Sequence, residues 1–255
     1  MSSKLRIDLN CDMGEGFGLY KSVADEELLK YVTSANIACG FHAGDPRIMD
    51  ATVALAASKR VSIGAHVSYP DLVGFGRRQL KVSPQELITD VTYQIGALEA
   101  FCRRHGTRVS YVKAHGALYN DMAVDATLSQ AMATAVLEYD PSLAVLTLAG
   151  SPSLKVLGAA GVKTISEGYA DRAYTHEGLL VARSKPGAVI SDPKVVSSRG
   201  LALASQQPIT DIEGSSIYVS CQSICIHSDS PGAVTLAATL RATLEEAGIF
   251  VTSFS

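Results

Sequence analysis

No tryptophan occurs in the 255 residues, and aromatic side chains of any kind make up only 6%. Together with 21 glycines, that composition fits a tightly packed α/β enzyme better than an aromatic-rich binding module. No apolar run approaches the length of a membrane span, because each candidate is broken by charge or glycine within a few residues. The start, Met1-Ser-Ser-Lys-Leu-Arg-Ile-Asp, lacks the apolar core of a signal peptide. Charge of one sign is also missing. Lys plus Arg number 22 against 25 Asp plus Glu, a net −3, which excludes a strong electrostatic attraction to nucleic acid or an anionic membrane. Five cysteines are an odd count without any CxxC pair, so they are expected as reduced thiols of a cytoplasmic protein, buried and structural, with Cys39 foremost among them as a nucleophile candidate. Low-complexity stretches and linkers are absent. So are GxGxxG, the P-loop, HxxE, HxH and HExxH; and in an EF-hand the loop glycine would fall at Met13.

What is present is a globular chain, 47% hydrophobic and 18% charged, long enough to bury a large core. Short β-like runs alternate with helical ones. Strands are expected at Leu5 to Asn10, Ala35 to Cys39, Ser62 to Ala65, Tyr111 to Ala114, Ala144 to Leu148, Lys163 to Ser166 and Ser223 to His227. The helix after Lys81 carries the clearest signals: Ser83 as N-cap, Pro84 at the first position, Glu86 completing a capping box, and Leu87, Val91, Ile95, Leu98 and Cys102 on one face, with Gly106 as the stop. Asp45-Pro46 and Ser230-Pro231 mark two more helix starts, the last helix running through Leu236, Leu240 and Leu244 to Gly248. Seven strand-helix units predict a single domain over residues 1–255, an α/β fold with a seven-stranded parallel β/α barrel. An open doubly wound sheet is the rival.

Polar residues collect at the strand ends. Alternation puts Asp8, Asn10 and Asp12 on one face of the first strand, provided that strand holds as far as Asp12. Three such groups on a buried face are unfavourable unless they bind one another or a ligand. Glu15 follows. His42 and Asp45 lie beyond the second strand, Asp45 as a helix cap, and His66 ends the third. Lys113 and His115 share a face at the end of the fourth, with Asn120 beyond, and His227 and Asp229 repeat the pattern at the seventh. Four of the six histidines therefore sit at strand C-termini. That distribution points to an active site rather than to isolated structural histidines. Glu167 to Tyr174 also follows a strand; its acidic and basic groups suit equally a structural ion pair across the mouth or a clamp on a substrate carboxylate, for which Arg172 has the planar fork, with Arg77, Arg78 and Lys185 as weaker candidates. His105 is expected to be solvated at a helix end.

The strings DLNCDMGEGFG, SANIACGFHAGDP, IGAHVSYPDLVGFGRR, YQIGAL, VKAHGALYN, EGYADRAY, KPGAVI and ICIHSDSPGAV resemble the LamB/YcsF family, from about residue 5 to the last helix. The resemblance implies a barrel like that of the glycoside hydrolase/deacetylase group. It also implies an intracellular enzyme that opens the lactam of 5-oxoproline to glutamate, cleaving ATP as co-substrate together with two partner subunits, B and C. Three positions depart from the family pattern: Val67-Ser68 for Pro-Gly, Lys113-Ala114-His115 for Lys-Pro-His, and His227-Ser228-Asp229 for His-Gly-Asp. The polar residues survive, and loop shape comes into question.

Amide opening needs a nucleophilic water, oxyanion stabilisation and a proton for the leaving nitrogen. The catalytic candidates are Asp8, Asn10, Asp12, His66, Lys113 and His115: Asp12 or Asp8 as base, Lys113 for developing negative charge, His115 or His66 as acid. Glu15, His42, Asp45, Asn120, Arg172, His227 and Asp229 are the substrate-binding candidates. A second reading is a metal-dependent amide or sugar deacetylase, with a divalent ion on His42, His66, His115 and Asp12. A third is a lactam-binding subunit without turnover.

Overall fold

The computed structural model describes residues 5–20, 24–228 and 232–255. In chain order the elements are β1 (Arg6–Met13), α1 (Asp25–Leu28), β2 (Ser34–Ala38), α2 (Pro46–Ser58), β3 (Ser62–Val67), α3 (Pro84–Arg104), β4 (Val109–Ala114), α4 (Gly116–Met122), α5 (Ala126–Tyr139) and β5 (Ala144–Leu148), followed by α6 (Pro152–Ala159), β6 (Lys163–Tyr169), α7 (Pro193–Ala204), β7 (Ile209–Thr210), β8 (Ser216–Ile217), β9 (Ser223–Ile226), α8 (Ala233–Glu246) and β10 (Phe250–Val251). Seven strands, β1 to β6 and β9, run parallel, and β1 pairs with both β2 and β9. That last pairing closes the sheet and removes the doubly wound alternative. β1 extends through Met13, so Asp12 does share the inner face with Asp8 and Asn10.

The expected capping box is present, with Ser83 and Glu86 exchanging hydrogen bonds, and the face from Leu87 to Cys102 is buried. Asp45 caps α2 as expected. Ser230-Pro231 lies outside the described residues; Gly232, with φ of 75°, directly precedes α8. Three features were not anticipated. His115 to Asn120 opens the helix α4, β7 and β8 form an antiparallel hairpin, and the C-terminal residues return as β10 beside the start of β1. No helix among the described residues is long and apolar enough to cross a membrane.

On β1, Leu9, Cys11 and Met13 join the apolar layer between barrel and helices, while the alternate residues fill the barrel. The bottom of the barrel interior is apolar: Tyr111, Ala144, Leu146 and Ile165 pack together with Phe254 from the C-terminal tail. The Tyr111 ring lies edge-on to Phe254 at 5.0 Å and its hydroxyl donates to Asn36 Oδ1 at 2.6 Å. Gly64 on β3 leaves the room for this ring; a Cβ there would fall within it. Asp8 comes next, enclosed at 1% exposure. It accepts hydrogen bonds from the hydroxyls of Thr33 and Ser34, both at 2.6 Å, and from Ser223. Burial pushes the Asp8 carboxyl up to about 6, against the opposing pull of those three hydroxyls.

Two stability predictions follow from this floor. Gly64→Ala overpacks a ring held at both ends, and should lower unfolding free energy by about 1–3 kcal/mol in urea titration; an unchanged midpoint would refute the packing argument. Asp8 gives a pH signature. Its native pKa lies above the unfolded value, so the folded chain binds the extra proton, and the stability it contributes is present below pH ~4 and lost as pH rises through about 6. The difference in unfolding free energy between wild type and Asp8→Asn should therefore change between those two values and be flat above them. Parallel curves throughout would remove the assignment.

Candidate active site

Above Asp8 the barrel interior becomes an ionic network. Asn10 donates through Nδ2 to Glu167 Oε1 at 2.9 Å and Ser223 Oγ at 2.7 Å, and accepts from Asn36 at 2.7 Å. Asn36 also donates to Asp12 Oδ1 at 2.8 Å. Lys113 stands at the centre, in register with His66 on the neighbouring strand. Its Nζ lies 2.9 Å from Glu167 Oε1 and 3.1 Å from Asp12 Oδ1, and it donates to Cys225 Sγ at 3.2 Å. Burial alone would lower its pKa; Asp12, Cys225 and Glu167 overcome that and hold the ammonium charged. The second oxygen of Glu167 accepts from the hydroxyls of Tyr119 and Tyr169, both at 2.7 Å. Burial would raise the Asp12 carboxyl, yet His66 and Lys113 hold it well below the usual carboxylate range.

Three imidazoles and a carboxylate form the next layer. His42 and His115 stack with ring centroids 3.8 Å apart, and His66 meets both edge-on. Glu15 Oε1 is 3.2 Å from His42 Nε2, 3.3 Å from His115 Nδ1 and 3.9 Å from His66 Nε2. The outer nitrogens define the tautomers. His66 Nδ1 faces the Lys113 carbonyl at 3.3 Å and His115 Nε2 faces the Phe75 carbonyl at 2.9 Å. Carbonyls only accept, so both outer nitrogens carry the proton. The inner nitrogens face each other 3.0 Å apart beside Glu15, and His66 Nε2 also lies 3.3 Å from Asp12 Oδ1. A shared proton or a bound cation would satisfy nitrogens placed this closely. Burial, reinforced by the neighbouring rings, holds His42 and His115 well below the usual imidazole value, so both are neutral, the state in which imidazole binds a metal.

Close backbone contacts keep this layer in place. Gly76, at φ of 63°, passes against His42 and His115, where a Cβ would clash with both and with Ser68. Its carbonyl accepts from Ala117 N at 2.8 Å, and Gly116, at φ of 59°, leaves room for that carbonyl.

A cavity of about 410 Å³ opens at the C-terminal mouth, lined by Asp12, Glu15, His66 and His115 on one side and by Tyr169, Arg172, Arg183 and His227 on the other. His227 Nδ1 is held by Asp171 at 2.9 Å, and its backbone N–H donates to the same carboxylate at 3.1 Å. Asp171 is fully enclosed, and although burial would raise its carboxyl, His227 keeps it below the usual value. Arg172 is fixed by donation from Nε to the Ala188 carbonyl at 3.2 Å and from Nη2 to the Val181 carbonyl at 2.6 Å. Burial and the nearby charge of Arg183 lower its pKa.

The expected site residues therefore separate by depth. Asp12, Glu15, His66, His115, Asn120, Arg172 and His227 line the cavity. Asn10, Lys113 and His42 lie behind that lining, and Asp8 lies deeper, among hydroxyls. Asp45 spends its carboxylate on the backbone N–H groups of Gly18, Arg47 and Ile48. Asp229 lies outside the described residues. Arg78 pairs with Asp71 and shapes the loop after β3. All five cysteines are free, and burial pushes the Cys39 thiol well up, leaving it a poor nucleophile. His105 is part-buried and bonds Asp50 at 2.8 Å rather than standing in solvent. In the imidazole cluster Glu15, not Asp12, supplies the fourth donor. A second group, Asp12, Cys225 and His227, already has the Lys113 ammonium between two of its members. Sequence reasoning missed Asp171 as the partner of His227, Asn36 as the link between Asn10 and Asp12, and Tyr119 and Tyr169 as the partners of Glu167. Asp171 sits in a strand-end motif, the one signal that pointed toward it.

The chain is 51% identical over 249 residues to the A subunit of 5-oxoprolinase from Streptomyces avermitilis, covering 98% of this chain and 100% of that one. Among solved structures, a lactam utilization protein from Thermus thermophilus superposes with a TM-score of 0.92 at 40% identity, over 98% of this chain and 100% of the other. A family 4 carbohydrate esterase from Streptomyces lividans shares the fold alone, at a TM-score of 0.51 and 11% identity over 98% and 93% of the two chains. The sequence profile of the LamB/YcsF family matches residues 7–255. With the barrel, its polar interior and these likenesses in agreement, the chain belongs to the LamB/YcsF family.

Proposed function

We propose that this chain is the lactam-hydrolysing subunit of a 5-oxoprolinase, opening 5-oxoproline to L-glutamate while ATP is cleaved in concert with companion subunits B and C. The observation that carries the reading is the meeting, around one cavity, of an oriented imidazole, a set of acceptors and a fixed guanidinium. The names of the relatives support the choice of substrate. His227 is the group best arranged to move a proton. Asp171 holds Nδ1–H, which leaves Nε2 as the basic nitrogen. It takes a proton from the attacking water and returns one to the ring nitrogen as the amide bond breaks. Arg172, its plane fixed by two carbonyls, binds the substrate carboxylate with Arg183 beside it. Lys113 lies behind the cavity lining and works by keeping Asp12 ionised and by holding Asp12 and Glu167 in place. The sequence contains no recognisable phosphate loop, and the companions contribute to the ATP step in this reading.

A divalent ion fits the Glu15, His42, His66 and His115 cluster. Ligands ~2.0–2.1 Å from a tetrahedral ion lie ~3.3 Å from one another; His66 to His115 and Glu15 to each of the three rings measure 3.0 to 3.9 Å, and all four donor atoms lie within 4.8 Å of one another. An ion held there would polarise the lactam carbonyl and acidify a bound water. The same cluster is what favours a second reading, a deacetylase-like hydrolase that acts on an acyl amide without ATP.

Two measurements test these readings. With purified B and C subunits, Asp171→Asn should lower kcat for glutamate formation by about 10²–10⁴-fold with little change in KM, while Arg172→Ala should chiefly raise KM for 5-oxoproline. Full activity in both variants, or ATP-independent release of acetate from an acetylated sugar or amide with no activity on 5-oxoproline, would overturn the assignment. Metal analysis of the purified chain should give about one divalent ion per chain, lost in Glu15→Gln and after chelation. A metal-free chain with full activity would remove the ion from the scheme.

A further inference from the structure

The three most exposed large apolar side chains among the described residues are Leu19 at 97%, Val73 at 91% and Tyr20 at 85%. All three stand on loops at the C-terminal mouth. Leu19 and Tyr20 belong to a small turn closed by paired backbone hydrogen bonds between Phe17 and Tyr20, at 2.8 and 3.0 Å; Val73 follows β3. The two loops are joined through the loop after β2. Gly18 N donates to Asp45 at 2.8 Å, Gly44 N donates to the Gly16 carbonyl at 2.7 Å, and His42 in turn packs against Phe75 at 5.7 Å. Phe41, in the same loop, stacks on the exposed Tyr93 of α3 at 5.5 Å. In a chain so short of aromatics, these apolar groups share one side of the mouth. Exposed apolar surface of that kind is a usual mark of a protein contact.

We infer that this side of the mouth is the docking surface for a companion subunit of the enzyme, one that presents an apolar face with an acidic margin. The inference rests on the functional reading above, and three observations select the occupant. The relatives are named as one subunit of a larger enzyme. The patch borders the mouth of the described cavity, so a protein seated there would cover the cavity and exclude water from it. Arg47 stands exposed beside the patch, which sets the charge of the partner's margin. A second copy of this chain is the alternative that the self-association measurement separates.

The test uses the full chain with purified B and C subunits. Binding is read by calorimetry and self-association by size-exclusion chromatography. The double variant Leu19→Ser/Tyr20→Ser and the single variant Val73→Ser are fully surface changes and should keep the circular dichroism spectrum and melting temperature of the wild type. Each should weaken binding to the companions about tenfold or more, and the triple variant about a hundredfold. Arg47→Glu should weaken it further, with a reduced dependence on salt. Phe250→Ser, an exposed side chain on β10 beside the start of β1 and so at the opposite end of the barrel, should bind as the wild type does. If the wild type forms glutamate with B and C and the patch variants bind equally well, the docking surface is wrong and the functional reading stands. If the wild type neither binds the companions nor forms glutamate with them, both fall. If the substitutions dissolve a homodimer and leave companion binding intact, the occupant is a second copy and the inference is overturned.

Discussion

Everything at the mouth depends on one buried ammonium. Lys113 lies in a barrel from which water is excluded, where a lone charge would be unfavourable by several kcal/mol. It is tolerated because Asp12 and Glu167 lie within 3.1 Å of it, and because both carboxylates have further donors to satisfy. Asn10 and Asn36 supply two of these, and Tyr119 and Tyr169 supply two more. A buried pair left with unmet lone pairs would favour hydrophobic replacement. This one is hydrogen-bonded almost throughout, which turns four strands into a single rigid polar unit. Removing the ammonium would leave two enclosed anions facing each other, so the carboxylates and the lysine have to be understood together.

That rigidity sets the chemistry above it. Lys113 contributes its backbone carbonyl as well as its side chain: the carbonyl receives the outer N–H of His66 and so turns the ring's other nitrogen inward. The Phe75 carbonyl does the same for His115. Two main-chain oxygens therefore decide which nitrogen of each ring faces the cluster. The convergence of donor atoms at the site is a consequence of backbone geometry, not of the histidines alone. Across the cavity Asp171 orients His227 by the same principle with the opposite result, because there the basic nitrogen faces the cavity.

Much of this was legible in the sequence because strands have a strict two-residue period. Asp8, Asn10 and Asp12 had to share a face, as did Lys113 and His115, and parallel strands placed their C-terminal ends together. Period cannot supply depth. Asp8 and Asp12 are equivalent in alternation yet lie in different layers, one among hydroxyls and one in the cavity wall, because the neighbouring strands present Ser34 and Ser223 at one level and Asn36 at the next. The pairing of Asp171 with His227 spans 56 residues and leaves no local pattern. Glu15 reaches the imidazoles from a loop whose path is governed by glycines, and the C-terminal tail closes the barrel floor through Phe254 by a contact no periodicity predicts.

At Val67-Ser68, one of the three positions set apart by the family resemblance, the structure shows how the turn is held. Ser68 has its backbone N–H bonded to Gln94 Oε1 at 2.9 Å and its carbonyl to Gln94 Nε2 at 3.0 Å. A buried glutamine on α3 thus serves both backbone groups at once, which fixes the peptide whatever side chain follows Val67. The Val67 carbonyl accepts from His115 N at 2.8 Å, so the same clamp reaches the imidazole cluster through one further bond. The serine hydroxyl itself is buried without a protein partner and is not what determines the turn. Residue identity at position 68 can therefore change while the direction of His66 and His115 is kept, since the restraint comes from α3 and from the main chain.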